Sequence, residues 1–177
     1  MPEGPELYLA GHAVNEICKG LKFSGKVKKS NISKYPFVCW EATKYNISAK
    51  ARGKEVKLTL IETQSTQQKA TRKITRRSIE PKTVNIIFRY GLTGKLRFDR
   101  VEDLHKHAHL NFYTADKKMV LSYVDTMRYG SWEVSDNWGR NRGPCVLNEY
   151  QQFRYYRIII DIIYMYVCVS VCIYVSV

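Results

Sequence analysis

Seven short runs of alternating apolar and polar residues dominate the chain between Tyr45 and Val134: Tyr45 to Ala51, Glu55 to Ile61, Val84 to Tyr90, Lys95 to Phe98, His109 to Thr114, Met119 to Val124 and Ser131 to Val134. A period of two places successive side chains on opposite faces, so each run reads as a strand with one face toward a core. Clusters of Gly, Asp and Lys separate the runs, the pattern of an antiparallel sandwich or barrel. Ahead of them, Leu7, Ala10, Val14, Ile17 and Leu21 recur at threes and fours from Pro5 to about Gly20. That spacing predicts one amphipathic helix with Gly20 as its stop. Pro5 and Glu6 suit its first turn, because Pro tolerates the first helical position and acidic residues favour the positive end of the dipole. The expected fold is mainly β, a two-layer β-sandwich with an N-terminal α-helix.

At 177 residues the chain can bury one proper core, with a tail to spare. Lys and Arg number 29 against 16 Asp and Glu, a formal charge of +13. Only Arg157 and Asp161 lie beyond Tyr155, and they cancel, so the whole excess belongs to the body. A charge of this size attracts polyanions, with nucleic acid or an anionic membrane surface as the default partner. The five cysteines (Cys18, Cys39, Cys145, Cys168 and Cys172) include no C-x-x-C pair, which fits a reducing compartment and gives no indication of zinc.

Two segments stand apart. Thr63 to Lys82 is polar, poor in aromatics and basic at Lys69, Arg72, Lys73, Arg76 and Arg77, and reads as a solvated loop. The apolar end, residues 155–177, alternates strictly from Val167 to Val177, a strand period and not a helical one. Its length from Ile158 is close to the roughly 20 apolar residues that span a bilayer, so a tail anchor and a real strand are both open readings. The repetition of Tyr, Val, Cys, Ile and Ser favours a third, an aberrant low-complexity terminus. The domain expected from these shifts runs over residues 1–154.

Candidate chemistry begins at the first residues. Removal of Met1, which a small following residue favours, leaves Pro2 with a free secondary amine. An α-amino group titrates near 8, so roughly a tenth is unprotonated and nucleophilic at neutral pH. Glu3 stands beside it as a carboxylate able to protonate a sugar ring oxygen as it opens. The plain alternative is an ordinary terminus before a helix. In Ser48 to Leu58, Arg52, Gly53 and Lys54 interrupt the alternation, and a Gly before a Lys lets the backbone turn tightly and present the ammonium. His105, His107 and His109 alternate, so all three are able to share a strand face. A metal triad is the lesser reading there, and a structural or near-phosphate role the favoured one.

The start PEGPEL, the segment ARGKE, FRYGLTGKL (Phe88 to Leu96), KHAHLNFYT (Lys106 to Thr114), VDTMRYGSW (Val124 to Trp132) and NRGPCVL (Asn141 to Leu147) run in an order that resembles the formamidopyrimidine/endonuclease VIII DNA glycosylases. The resemblance covers residues 1 to about 154. It implies Pro2 as the Schiff-base nucleophile at C1′ of a damaged nucleotide, Glu3 as the acid/base at the sugar and Lys54 as a phosphate-contacting, catalytic lysine. It implies a nuclear base-excision repair enzyme that acts on damaged DNA as a monomer, with no membrane partner. Oxidised bases would be removed and the abasic strand cut by β,δ-elimination, with no dissociable cofactor and no metal. The damaged base must leave the stack, because its glycosidic carbon is out of reach inside it. The family fills the resulting hole with side chains whose positions here are Leu92, Met127 and Tyr129, with Arg128 between the last two. Met127 stands where the family has an Arg and cannot hydrogen-bond the orphaned base, which puts opposite-base discrimination in doubt.

The family continues after EYQQFR with a helix-two-turn-helix domain and a zinc finger or a zincless equivalent, and residues 155–177 match neither. The resemblance therefore implies a catalytic half without its clamp, weak or inactive on duplex DNA. A basic nucleic-acid-binding module without catalysis is the alternative, and a retained Met1, which would lock the Pro2 nitrogen in a peptide bond, would favour it.

Overall fold

The computed structural model describes residues 2–63, 81–140 and 142–175, with side chains as far as residue 163. Nearly all of the basic segment read as a loop from Thr63 to Lys82 lies outside the described residues. The chain forms two compact units, Met1–Trp138 and Gly139–Val177.

The first unit opens with α1 (Gly4–Cys18), followed by β1 (Phe23–Lys26), β2 (Lys28–Lys29), β3 (Glu41–Arg52), β4 (Glu55–Glu62), β5 (Thr83–Arg89), β6 (Lys95–Arg100), β7 (Ala108–Tyr113), β8 (Met119–Val124) and β9 (Ser131–Val134). The strands make two sheets, one in the order β1-β3-β4-β5-β9 and one in the order β2-β7-β8-β6. All pairings are antiparallel. The expected sandwich with a leading helix is the observed architecture. Each of the seven alternating runs is a strand, whereas β1 and β2, at four and two residues, are too short to carry a period.

One cluster of buried side chains joins α1 to both sheets, with Phe23, Tyr45, Leu58, Phe88, Phe112 and Tyr123 among its largest members. Of the helical residues expected to face it, Leu7 and Val14 do, but Ile17 is exposed. The buried stripe is Leu7, Gly11, Val14 and Cys18, a spacing of four, three and four. Gly11 and Cys18 escape a hydrophobicity count because one has no side chain and the other is small. The helix ends where Gly20, at φ +76°, reverses the chain.

Burial pushes the Cys18 thiol up to about 11, while Cys39 is exposed. The thiolate is the reactive form, so at pH 8 a maleimide should label the peptide carrying Cys39 and spare the one carrying Cys18 until the protein is unfolded. Equal labelling of both in the native protein, read by peptide mass mapping, would contradict the packing of α1.

The second unit begins with a turn in which the Cys145 N–H donates to Glu149 Oε2 (2.7 Å) and the Glu149 N–H donates to the Cys145 carbonyl (2.7 Å). It continues as α2 (Tyr150–Val175). This corrects the strand period read from Val167 onward, and the expected boundary at residue 154 falls inside α2. A helix satisfies its own backbone donors and acceptors, while a strand of the same β-branched residues needs a neighbour to pair with. Among the described residues no helix is long and apolar enough to cross a membrane.

Candidate functional site

The free edge of β3 fixes where the chain starts. β1 pairs with β3 only from Glu41 to Tyr45, and beyond that point α1 lies along the strand instead. Asn15 docks the helix there as a strand would: its Nδ2 donates to the Ala49 carbonyl (2.9 Å) and its Oδ1 accepts from the Ala49 N–H (2.7 Å). A Cβ added to Gly11 would sit 3.6 Å from the Ala51 nitrogen, ordinary contact distance, so helix and strand pack closely here. At the helix start, a Cβ on Gly4 would lie 3.5 Å from the Gly53 carbonyl oxygen. The N-terminus therefore abuts the β3–β4 turn.

That turn is a two-residue hairpin loop, Gly53 and Lys54, closed by the pair Arg52 and Glu55. Gly53 takes φ +57° and Lys54 does not follow it into the left-handed region, the arrangement that puts Gly first in the loop. The Lys54 side chain reaches across to the helix start, and its Nζ donates to Glu3 Oε1 at 2.9 Å. The Glu3 N–H in turn donates to Glu6 Oε2 at 2.9 Å, half of a capping box. Glu3 and Lys54 are both solvent-accessible and Pro2 is partly buried. Glu3 and Lys54, 51 positions apart, thus touch, and the ARGKE turn meets the PEGPEL start, with Pro2 next to Glu3 along the chain.

The other four sequence-selected residues lie on two loops held together by a carboxylate that the sequence did not mark. Asp125, 1% exposed, accepts from Thr93 Oγ1 on Oδ1 (2.5 Å) and from the Gly130 N–H on Oδ2 (2.7 Å). Thr93 Oγ1 also accepts from the Met127 N–H at 3.2 Å. Gly91, at φ +62°, passes so close that a Cβ there would lie 2.6 Å from the Gly130 nitrogen. The outcome is that Leu92 projects from one loop while Met127, Arg128 and Tyr129 project from the other, all four exposed. Arg128 is held at φ +60°, a left-handed conformation uncommon for a residue with a Cβ.

A sequence model of the formamidopyrimidine-DNA glycosylase N-terminal domain matches residues 1–132, three quarters of the chain. The chain belongs to this family. Curated relatives include Endonuclease 8-like 1 of Mus musculus, 46% identical over 156 residues, and Endonuclease 8-like 1 of Homo sapiens, 45% identical over 156. Each alignment covers 87% of this chain, which spans 37% of the relative's length. Among solved structures, the Lactococcus lactis Fpg protein in complex with DNA containing an oxidized pyrimidine superposes with a TM-score of 0.54 at 20% identity, over 76% of this chain and 44% of that one. At that identity the likeness concerns the fold.

In this glycosylase-family domain the three histidines do not share a face. β7 starts at Ala108, so His105 and His107 precede it, and a register shift between Ala108 and Leu110 displaces His109. The His107 N–H donates to His105 Nδ1 (3.1 Å), and His107 itself titrates below its ordinary range through desolvation and the nearby charge of Lys106. His109 is 3% exposed and its Nε2 lies 2.8 Å from the Asp125 carbonyl oxygen. Glu55, directly after Lys54, is wholly buried and receives Arg89 Nε at 2.7 Å, while Arg89 Nη2 binds Glu133 at the same distance. Glu55 and Asp125 fall within the ARGKE and VDTMRYGSW segments, but nothing in the sequence marks their burial, because a buried carboxylate looks there like any exposed one.

Proposed function

We propose that this chain is a DNA glycosylase and abasic-site lyase of nuclear base-excision repair, working on damaged DNA through Pro2, Glu3 and Lys54. The observation that supports it is the 2.9 Å contact between Lys54 Nζ and Glu3 Oε1 beside the first residue able to carry a secondary amine. Once Met1 is removed, the Pro2 nitrogen attacks C1′ of the damaged nucleotide. The bond from C1′ to the base breaks with its electron pair going to the base, which takes up a proton. The nitrogen sheds its proton to the Glu3 carboxylate, which passes it to O4′ as the ring opens, and C1′ is left as an iminium ion. That cation draws electrons from the C2′–H bond, so loss of this proton expels the 3′ phosphate, and a second elimination expels the 5′ phosphate. Lys54 neutralises Glu3 and contacts phosphate. No dissociable cofactor enters, since the iminium is itself the electron sink.

Leu92, Met127, Arg128 and Tyr129 are assigned to DNA, wedging into the space an extruded base leaves. Three are apolar wedges, and Arg128 supplies charge. The Glu3 and Lys54 side chains are 60% and 43% exposed, which suits an aldehyde already present on an abasic strand. For the 177-residue chain tested alone, cleavage at an abasic site should therefore exceed excision of an oxidised base from duplex DNA.

The test is to mix the full chain, its Met1 removal checked by intact mass, with an oligonucleotide bearing one abasic site, and to add borohydride. A covalent adduct is expected that disappears when the N-terminal amine is blocked beforehand. No adduct from correctly processed, folded protein would leave the chain a non-catalytic nucleic-acid-binding module.

A further inference from the structure

Lys54 and the two loops that carry Leu92 and Tyr129 leave one sheet at the same end. Lys54 immediately precedes β4 at Glu55, the Leu92 loop follows the last residue of β5, Arg89, and the Tyr129 loop leads into β9 at Ser131. The three strands are neighbours in the order β4-β5-β9. Their antiparallel register pairs Val56 with Phe88 and Arg89 with Ser131, which brings the start of β4, the end of β5 and the start of β9 side by side. One side chain spans all three. Arg89 Nε donates to Glu55 Oε1 on β4 at 2.7 Å, and its Nη2 donates to Glu133 Oε1 on β9 at 2.7 Å.

Stability alone is a poor reason for this bridge. Glu55 is wholly buried, and well-packed apolar side chains commonly stabilise a fold as much as a buried ion pair does. What an ion pair adds is a defined arrangement. A guanidinium is planar with its donors at fixed angles, so it sets the direction between two carboxylates as well as their distance. The paired residues of β4 and β5 end at Val56 and Phe88, and the Arg89–Glu55 contact carries the link one residue further, to the neighbour of Lys54.

We propose that Arg89 is a positioning residue that holds the Lys54 turn in register with the two wedge-bearing loops, coupling chemistry at the sugar to entry of the wedges into duplex DNA. The inference rests on the function proposed above, in which Lys54 acts at the sugar while Leu92, Met127 and Tyr129 fill the space left by a base. On a duplex both must be in place at once, so a shift of one relative to the other costs rate. A single strand offers no stacked gap to fill. There the register has nothing to act on, and the coupling is silent.

The test is single-turnover borohydride trapping by the full chain on one abasic oligonucleotide, offered as a single strand and as a duplex. The quantity read is the duplex-to-single-strand ratio of trapping rates, in which any loss of folded protein cancels. Arg89→Lys keeps a positive charge beside Glu55 without the fork, and Glu133→Ala removes one of the two partners. Each should lower the ratio about tenfold, the scale of a sub-ångström misplacement. Because both changes break one bridge, the double variant should fall no further than the lower single one. An unchanged ratio, or losses that add in the double variant, would overturn the positioning role while leaving the proposed function standing. Wild-type trapping on the single strand alone would overturn it too. A wild type that traps neither substrate would remove the proposed function, and the coupling with it. Glu133, on an exposed side chain, keeps the test in hand where Arg89→Lys does not fold.

Discussion

Gly130→Ala should lower the stability of the domain by about 3 kcal/mol or more, a fall in melting temperature of roughly 10 °C. A Cβ at this position would lie 1.8 Å from the Tyr123 hydroxyl and 2.8 Å from the carbonyl oxygens of both Arg89 and Tyr90. The hydroxyl has nowhere to retreat. Tyr123 is 1% exposed, its ring packs on Phe88 at 5.0 Å and on Trp132 at 5.8 Å, and its hydroxyl donates to the Arg89 carbonyl at 3.4 Å. Tyr123 belongs to β8 of one sheet, and Phe88, Arg89 and Trp132 belong to the other, so this is a point where the sheets are joined. Burial, reinforced by the Asp125 carboxylate, drives the Tyr123 hydroxyl above its ordinary titration range and keeps it a donor. The substitution must displace either that ring or the β5 backbone. Thermal and denaturant unfolding of the purified variant would measure the loss, and a midpoint within error of wild type would show that the sheets part without cost.

Arg89→Leu is the second large expected effect, a loss of about 3 kcal/mol, the low end for stripping one partner from a buried pair. Glu55 is 0% exposed and receives Arg89 at 2.7 Å. The guanidinium is a third exposed, so solvent screens part of the interaction and the upper end of that range does not apply. Its own titration is pushed up first by the hydrogen bond to Glu133 and then, against the loss of hydration, by Glu55. Glu133→Gln is the internal comparison. The Glu133 side chain is 43% exposed, so removing its charge should cost only about 0–1 kcal/mol. Similar losses for the two variants in urea would mean that burial of Glu55 does not set the scale. Glu55 adjoins Lys54 in the hairpin, so the same ion pair also steadies the turn that presents the lysine.

Much of the fold was legible because strand periodicity is a local property. The seven runs from Tyr45 to Val134 announced seven strands, and Leu7 and Val14 announced a helix with a buried stripe. Residues without a large apolar side chain were not legible. Gly11 is buried in the helix interface with no side chain to signal it, and β2 is only the two residues Lys28 and Lys29. The apolar end misled for the opposite reason. Its alternation from Val167 to Val177 is genuine, but β propensity becomes a strand only against a neighbouring strand, and residues through Val175 are helical.

The site divides along the same line. Composition, the PEGPEL and ARGKE segments and the tight Gly53 turn were enough to single out Pro2, Glu3 and Lys54, and a net charge of +13 was enough to favour a polyanionic partner. That Lys54 lies 2.9 Å from Glu3, 51 positions away in the sequence, depends on Asn15 filling the free edge of β3 and so fixing where α1 begins. The burial of Asp125, Glu55 and His109 was not legible for one physical reason. Side-chain type and spacing encode which face of an element is apolar, whereas the environment of a single polar atom is set by what other elements bring to it across the core.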